Sequence, residues 1–156
     1  MNRIALLRPF GLVVALALLA ACTPTRPIFP PTAAVQEVRG LPDGRWRVTV
    51  RLQNYALRSM HFAHVSLALD IAGRPAGQLQ GDAHLDIAET SSDTLDLVIT
   101  PTAAARTALL ADRVGNVAYA IAGGVQAGPT PDALRIFKVS HQGYLSPVPG
   151  LPDAWR

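Results

Sequence analysis

From residue 33 onward, hydrophobic and polar positions alternate with a period of two, the repeat of a strand with one buried and one wet face. Trp46, Val48, Val50 and Leu52 alternate with Arg45, Arg47, Thr49, Arg51 and Gln53. Val65, Leu67, Leu69 and Ile71 alternate with His64, Ser66, Ala68 and Asp70. The same rhythm returns at Leu85 and Ile87, at Leu95, Leu97 and Ile99, and at Val117, Tyr119 and Ile121, with a further strand around residues 134–141. Turn residues separate the runs: Pro42-Asp43-Gly44, Gly73-Arg74-Pro75, Gly81-Asp82 and Gly128-Pro129, with a hairpin or bulge at Gly123-Gly124. Short strands with turns between them predict an all-β fold, an antiparallel sandwich. Residues 101–113 break the rhythm: they are rich in alanine, begin at Pro101 and stop just before Gly115. Those signals predict one short helix, with Leu109 and Leu110 covering an open end of the sandwich. Residues 146–156 carry Pro147, Pro149 and Pro152 and read as an irregular tail, with Leu151 or Trp155 docked or the whole segment frayed.

The amino-terminal segment follows another pattern. Arg3 and Arg8 precede the uninterrupted apolar run from Phe10 to Leu19, which is shorter than the roughly 20 residues a bilayer-spanning helix needs. It matches the apolar part of a secretory signal. Leu19-Ala20-Ala21-Cys22 follows at once and resembles the lipobox of bacterial lipoproteins. The alternative is an ordinary signal cleavage site beside a free cysteine. The resemblance implies cleavage before Cys22, a diacylglyceryl thioether on its sulfur and an acyl chain on its amine, so the lipid attachment residue is Cys22. Several acyl chains anchor firmly, at about 0.8 kcal/mol per buried CH₂, where one binds only marginally. Lipoproteins held in the inner membrane usually carry Asp after the cysteine. Thr23 stands there, which points to the periplasmic face of the outer membrane. Residues 1–21 are thus read as signal peptide and 22–32 as a lipidated tether. Pro24, Pro27, Pro30 and Pro31 make that tether extended, unless Ile28 and Phe29 dock onto the domain and shorten it. The sandwich itself takes residues 33–145.

Composition changes meaning once that segment is set aside. The 156-residue chain carries a formal charge of +3, and its mean hydropathy is +0.23. Arg3 and Arg8 lie in the signal and no acid does, so fourteen basic residues fall to twelve against eleven acidic ones. No like-charge run remains. Arg39, Arg45, Arg47 and Arg51 form the densest basic group, better read as a solvated strand face than as a phosphate site. A nucleic-acid partner is not expected, and none would share the compartment the signal specifies. The single cysteine excludes an internal disulfide and a multi-thiolate zinc site.

A strand ending in Asn54 comes first, followed by a hydrophobic strand pair, then a strand after Thr94 that leads into Pro101 and the short helix. Gly115-Asn116-Val117-Ala118-Tyr119-Ala120-Ile121-Ala122-Gly123 closes the series. In that order these features resemble the late-embryogenesis-abundant type 2 (LEA2, WHy) domain over residues 33–143. Most members follow the asparagine with proline, whereas this chain has Tyr55. The resemblance implies an immunoglobulin- or fibronectin-III-like β-sandwich with a small helix, no catalytic residues, and protection in water or envelope stress.

The residues offer little independent chemistry. His61 and His64 are three apart, which on a regular strand sends the rings to opposite faces. His84 and His141 join them only through tertiary contacts, so the four read as surface histidines. Asp82, Asp86, Glu89, Asp93 and Asp96 are spaced as solvated strand faces and lack the close oxygen spacing and internal glycine of a calcium loop. No Gly-x-Ser-x-Gly elbow and no phosphate-cradling glycine loop occur. No cofactor, metal site or enzymatic activity is therefore expected. Trp46 reads as core, while Tyr55, Phe62, Tyr119, Phe137 and Tyr144 are scattered. Tyr55 and Arg58, in the loop after Asn54, are the best exposed contact residues. A second function class is an accessory lipoprotein that binds an envelope protein partner or an apolar ligand, with an exposed sheet edge as its means.

Overall fold

The computed structural model describes residues 28–111 and 115–156. The segment read as a signal peptide, Cys22 and the first part of the expected tether lie outside the described residues. Among the described residues, nine strands and one helix follow in the order β1 (Thr32–Gly40), β2 (Trp46–Gln53), β3 (Met60–Ile71), β4 (Arg74–Ile87), β5 (Ser92–Ile99), α1 (Ala103–Ala111), β6 (Val117–Gly128), β7 (Arg135–Leu145), β8 (Pro147–Val148) and β9 (Leu151–Trp155). They form two antiparallel sheets, ordered β5-β2-β1-β9-β8 and β4-β3-β6-β7.

The period-two pattern becomes the core directly. Val48, Val50 and Leu52 of β2 are fully buried, as are Val65 and Leu67 of β3, and Ile121 and Val125 of β6 join them in one apolar cluster. Each such side chain removed from water contributes on the order of 1.5–3 kcal/mol. Trp46 and Phe62 are buried with them. Tyr119 is buried too, and its hydroxyl donates to the Val35 carbonyl of β1 at 3.3 Å, a polar tie from one sheet to the other. Burial pushes the Tyr119 phenol above its ordinary range, so it stays a donor.

The helix forms where the alanines predict it. Thr102 caps it, its hydroxyl accepting the Ala105 N–H at 3.2 Å and donating to the Pro75 carbonyl at 2.6 Å. Ala105 and Leu109, four residues apart, face inward, whereas Leu110 is exposed, so only one of the two leucines covers the core. At the other end of the chain Ile28 packs against the core and Phe29 does not.

Three sequence expectations are corrected. Gly81-Asp82 is no turn but lies inside β4, where a Cβ at Gly81 would sit 2.7 Å from Leu97 Cδ2 of the facing sheet. Gly123-Gly124 is neither hairpin nor bulge: β6 runs straight through, and a Cβ at Gly123 would strike the Ser66 carbonyl oxygen of β3. Both glycines serve close packing. The carboxyl-terminal tail is not irregular. β9 pairs with β1 through Val38–Trp155 and Arg39–Ala154, and β8 forms the sheet edge. The prolines permit this because the ladder reaches β1 only after Pro152, and an edge strand tolerates a missing N–H. Trp155 is buried and Leu151 stays exposed.

Trp155 therefore belongs to the core. Trp155→Ala is expected to lower unfolding stability by about 3–5 kcal/mol in denaturant titrations. A loss below about 1 kcal/mol would show that the tail merely lies on the surface.

Candidate functional site

β2 runs into Asn54, the one fully buried polar side chain among the described residues. Its Nδ2 donates to the carbonyls of Arg58 at 2.8 Å, Ile87 at 3.0 Å and Ala88 at 3.0 Å. Two hydrogens serve three acceptors, so one of them is shared. Oδ1 accepts the Ala56 N–H at 2.9 Å, an Asx turn that starts the loop. The Asn54 backbone N–H donates to the Ser91 carbonyl at 2.9 Å, and the Gln53 side chain reaches the same oxygen at 3.0 Å. One side chain thus ties the end of β2, its following loop and the β4–β5 turn into a single unit. An amide offers two N–H donors and a separate acceptor oxygen in this space, which a hydroxyl or a carboxylate does not.

The clamp dictates what the loop displays. Ala56 and Met60 are fully buried, while Tyr55 is 51% exposed and Leu57 49%. Arg58 is exposed beside them. Tyr55 and Arg58 are thus at the surface as expected, and Leu57, not singled out from sequence, joins them. Thr32 of β1 pairs with Gln53, so the chain enters the domain at this same end, through Phe29 and Pro30.

The histidines depart from expectation. The β3–β4 register shifts between Phe62 and His64, and this bulge returns His64 to the same outer face as His61. His61 Nδ1 meets Asp86 at 2.7 Å and His64 Nδ1 meets Asp82 at 2.7 Å. The signal was present in the sequence, since the inward residues Phe62 and Val65 stand three apart instead of two. The bond from His64 holds the Asp82 carboxyl below its ordinary range. His84 sits opposite the bulge with a φ of 47°, and His141 lies on β7 with its ring 5.9 Å from that of Tyr119. Among the described residues no three of His, Cys, Asp and Glu converge as metal ligands. Asp82, Asp86, Glu89, Asp93 and Asp96 are all exposed.

The basic group is spread along a wet sheet face. Arg39 approaches Glu37 at 2.9 Å, Arg45 is paired with Asp43 at 2.7 Å, and Arg47 and Arg51 are exposed on β2. The Arg45 side chain holds the Asp43 carboxyl below its usual range. At the end of the sandwich opposite Asn54, a cleft of about 420 Å³ is lined by Trp46, Arg106, Leu109, Leu110 and Trp155 among others. The Arg106 guanidinium closes one side by donating to the Gly44 carbonyl at 2.8 Å. Of the remaining aromatic residues, Phe137 is half-buried beneath Arg135, and Tyr144 is exposed on β7.

Three outcomes test this geometry. Asn54→Ala is expected to cost about 2–4 kcal/mol in denaturant titrations, because buried carbonyls and an N–H lose their partner. Asn54→Asp places a carboxylate against three carbonyls, which raises its folded pKa above about 3.9. The variant should be weakest at neutral pH and recover as pH falls through that raised value; a pH-independent loss would contradict the arrangement. For Asp82 the sign is opposite. Its lowered folded pKa gives a contribution present above about pH 3.9 and lost as pH falls through the folded value. A carbon NMR titration should place its midpoint below the ordinary carboxylate range, and His64→Ala should return it there.

No protein-family profile and no curated protein matches the chain. Among solved structures it is similar to the solution structure of an Arabidopsis thaliana protein, at 16% identity. That match covers 80% of this chain and 85% of the other, with a TM-score of 0.56. It also matches the solution structure of a candidate late embryogenesis abundant (LEA) protein, 17% identical over 92% and 89% of the two chains, with a TM-score of 0.46. A crystal structure from Archaeoglobus fulgidus is 6% identical over 78% and 98%, with a TM-score of 0.44. At these identities the likeness to the first structure shows a shared fold.

Proposed function

We propose that this chain is a lipid-tethered, non-enzymatic LEA2-type domain, an immunoglobulin- or fibronectin-III-like sandwich on the periplasmic side of a bacterial outer membrane. In this reading Cys22 carries the lipid, and the domain protects envelope components in water stress through surface hydration and weak contact. The observation that carries the LEA2 reading is Asn54. The resemblance places an asparagine at the end of the second strand, and here that residue clamps one end of the sandwich. The envelope location rests on Leu19-Ala20-Ala21-Cys22 behind a basic and then apolar segment.

The second reading is an accessory lipoprotein that binds an envelope protein or an apolar ligand. Edge strand β7 favours it, with Ile136 at 73% and Tyr144 at 71% exposure beside unpaired strand backbone.

Cys22→Ser is the direct test of the tether. The variant should leave the membrane fraction and lose the mass of its acyl chains, and retention in the membrane fraction would contradict the anchor. Cells lacking the protein should survive drying less well than cells restored with it. A stoichiometric protein partner after mild detergent extraction, with drying survival unchanged, would favour the second reading.

A further inference from the structure

We propose that the loop 54–59, together with Phe29, is the face by which the domain rests on the lipid surface that holds its amino terminus. The inference rests on the Cys22 anchor and deepens it, since an anchor alone does not say which face of the domain meets the bilayer.

Chain length comes first. Five residues, from Thr23 to Pro27, separate the lipid-bearing Cys22 from Ile28, which packs on the core. Even fully extended, they reach no more than about 20 Å. β2 alone, with 8 residues, separates the two ends of the sandwich by roughly 25 Å. The end where the chain enters is therefore held near the membrane, and the end with Leu110 is held away from it.

The side chains at that end fit the occupant. Phe29 is 47% exposed, and Tyr55 and Leu57 are about half exposed. With Thr32 paired to Gln53, Phe29 precedes the entry at this end, so three large apolar side chains are left exposed near one end of the sandwich. Tyrosine favours the boundary between acyl chains and headgroups, and an arginine such as Arg58 lays its stem on apolar surface while its head reaches phosphate. The exposure is also fixed in place. Asn54 holds the Arg58 carbonyl and the Ala56 N–H, so Ala56 is locked inward and Tyr55 and Leu57 are held outward.

Glu89, Asp93 and Asp132 are exposed at the same end and offset Arg58 and Arg135. Attraction to anionic lipid is thus not the driving term. Contact should occur on zwitterionic phosphatidylcholine.

The test uses the full lipidated protein in phosphatidylcholine vesicles. Its only cysteine carries the lipid, so Leu57→Cys and, separately, Leu110→Cys each offer one thiol for a polarity-sensitive fluorophore. Both positions are exposed, so labelling should leave the fold intact. The label at 57 should shift to the blue and be quenched by spin-labelled lipid at least about threefold more than the label at 110. Vesicle flotation is scored on the same samples. Protein that floats but shows equal quenching at both sites overturns this inference and leaves the anchor standing. Protein that does not float removes the anchor and this inference together.

Discussion

One amide side chain holds together what the rest of the molecule uses. Asn54 is buried where β2 ends, and its four hydrogen bonds join three segments that share no ladder at that point. Sheet hydrogen bonds stop at Gln53 and Met60, and the apolar core stops with them. Beyond that line a few backbone bonds remain, from the Thr90 N–H to the Ala56 carbonyl and from the Ser91 N–H to the Ala88 carbonyl, but the Arg58 carbonyl and the Ala56 N–H would need water. Asn54 supplies the missing partners from inside the protein. The arrangement closes the end of the sandwich with a fixed loop, and the fixed loop presents Tyr55, Leu57 and Arg58 outward.

The two ends of the sandwich consequently differ. One carries the clamp and receives the chain from its amino terminus. The other is covered by α1 and by the carboxyl-terminal strand, which leave a cleft between Trp46, Arg106 and Trp155. The ion pairs of the sheet faces add little to either, since exposed pairs contribute at most about 1 kcal/mol. With the proposed anchor at Cys22, orientation on a membrane would follow from where the tether attaches and from which end shows apolar side chains. It would not need a charged patch, and the near-balanced charge of the domain agrees with that.

Much of this could be read from the chain alone, for a physical reason. Alternation at Trp46–Leu52 and Val65–Ile71 reports burial on one face of a sheet, and burial is the largest single force in the fold. Asn54 was singled out as a motif, and Tyr55 and Arg58 as exposed neighbours. What escaped were places where a residue answers to something distant in sequence. Gly81 and Gly123 look like turn glycines, but they are glycine because Leu97 and the Ser66 carbonyl occupy the space of a side chain. His61 and His64 share a face because the strand bulges between Phe62 and Val65. The prolines of the tail argue against any regular strand, yet Pro152 precedes the β1 ladder and Pro147 lies on edge strand β8, and nothing local shows that β1 lacks a neighbour on that side until β9 arrives.

Amide hydrogen exchange at Ala56 tests the clamp most directly. Its N–H sits in a loop outside every sheet ladder, and its partner is the Asn54 side-chain oxygen. If Asn54 closes this end of the sandwich, the Ala56 amide should exchange as slowly as that of Leu67 in the central strand β3, opening only with global unfolding. Exchange within about tenfold of an unstructured amide would mean that the loop opens on its own, and the account of this end of the molecule would fail.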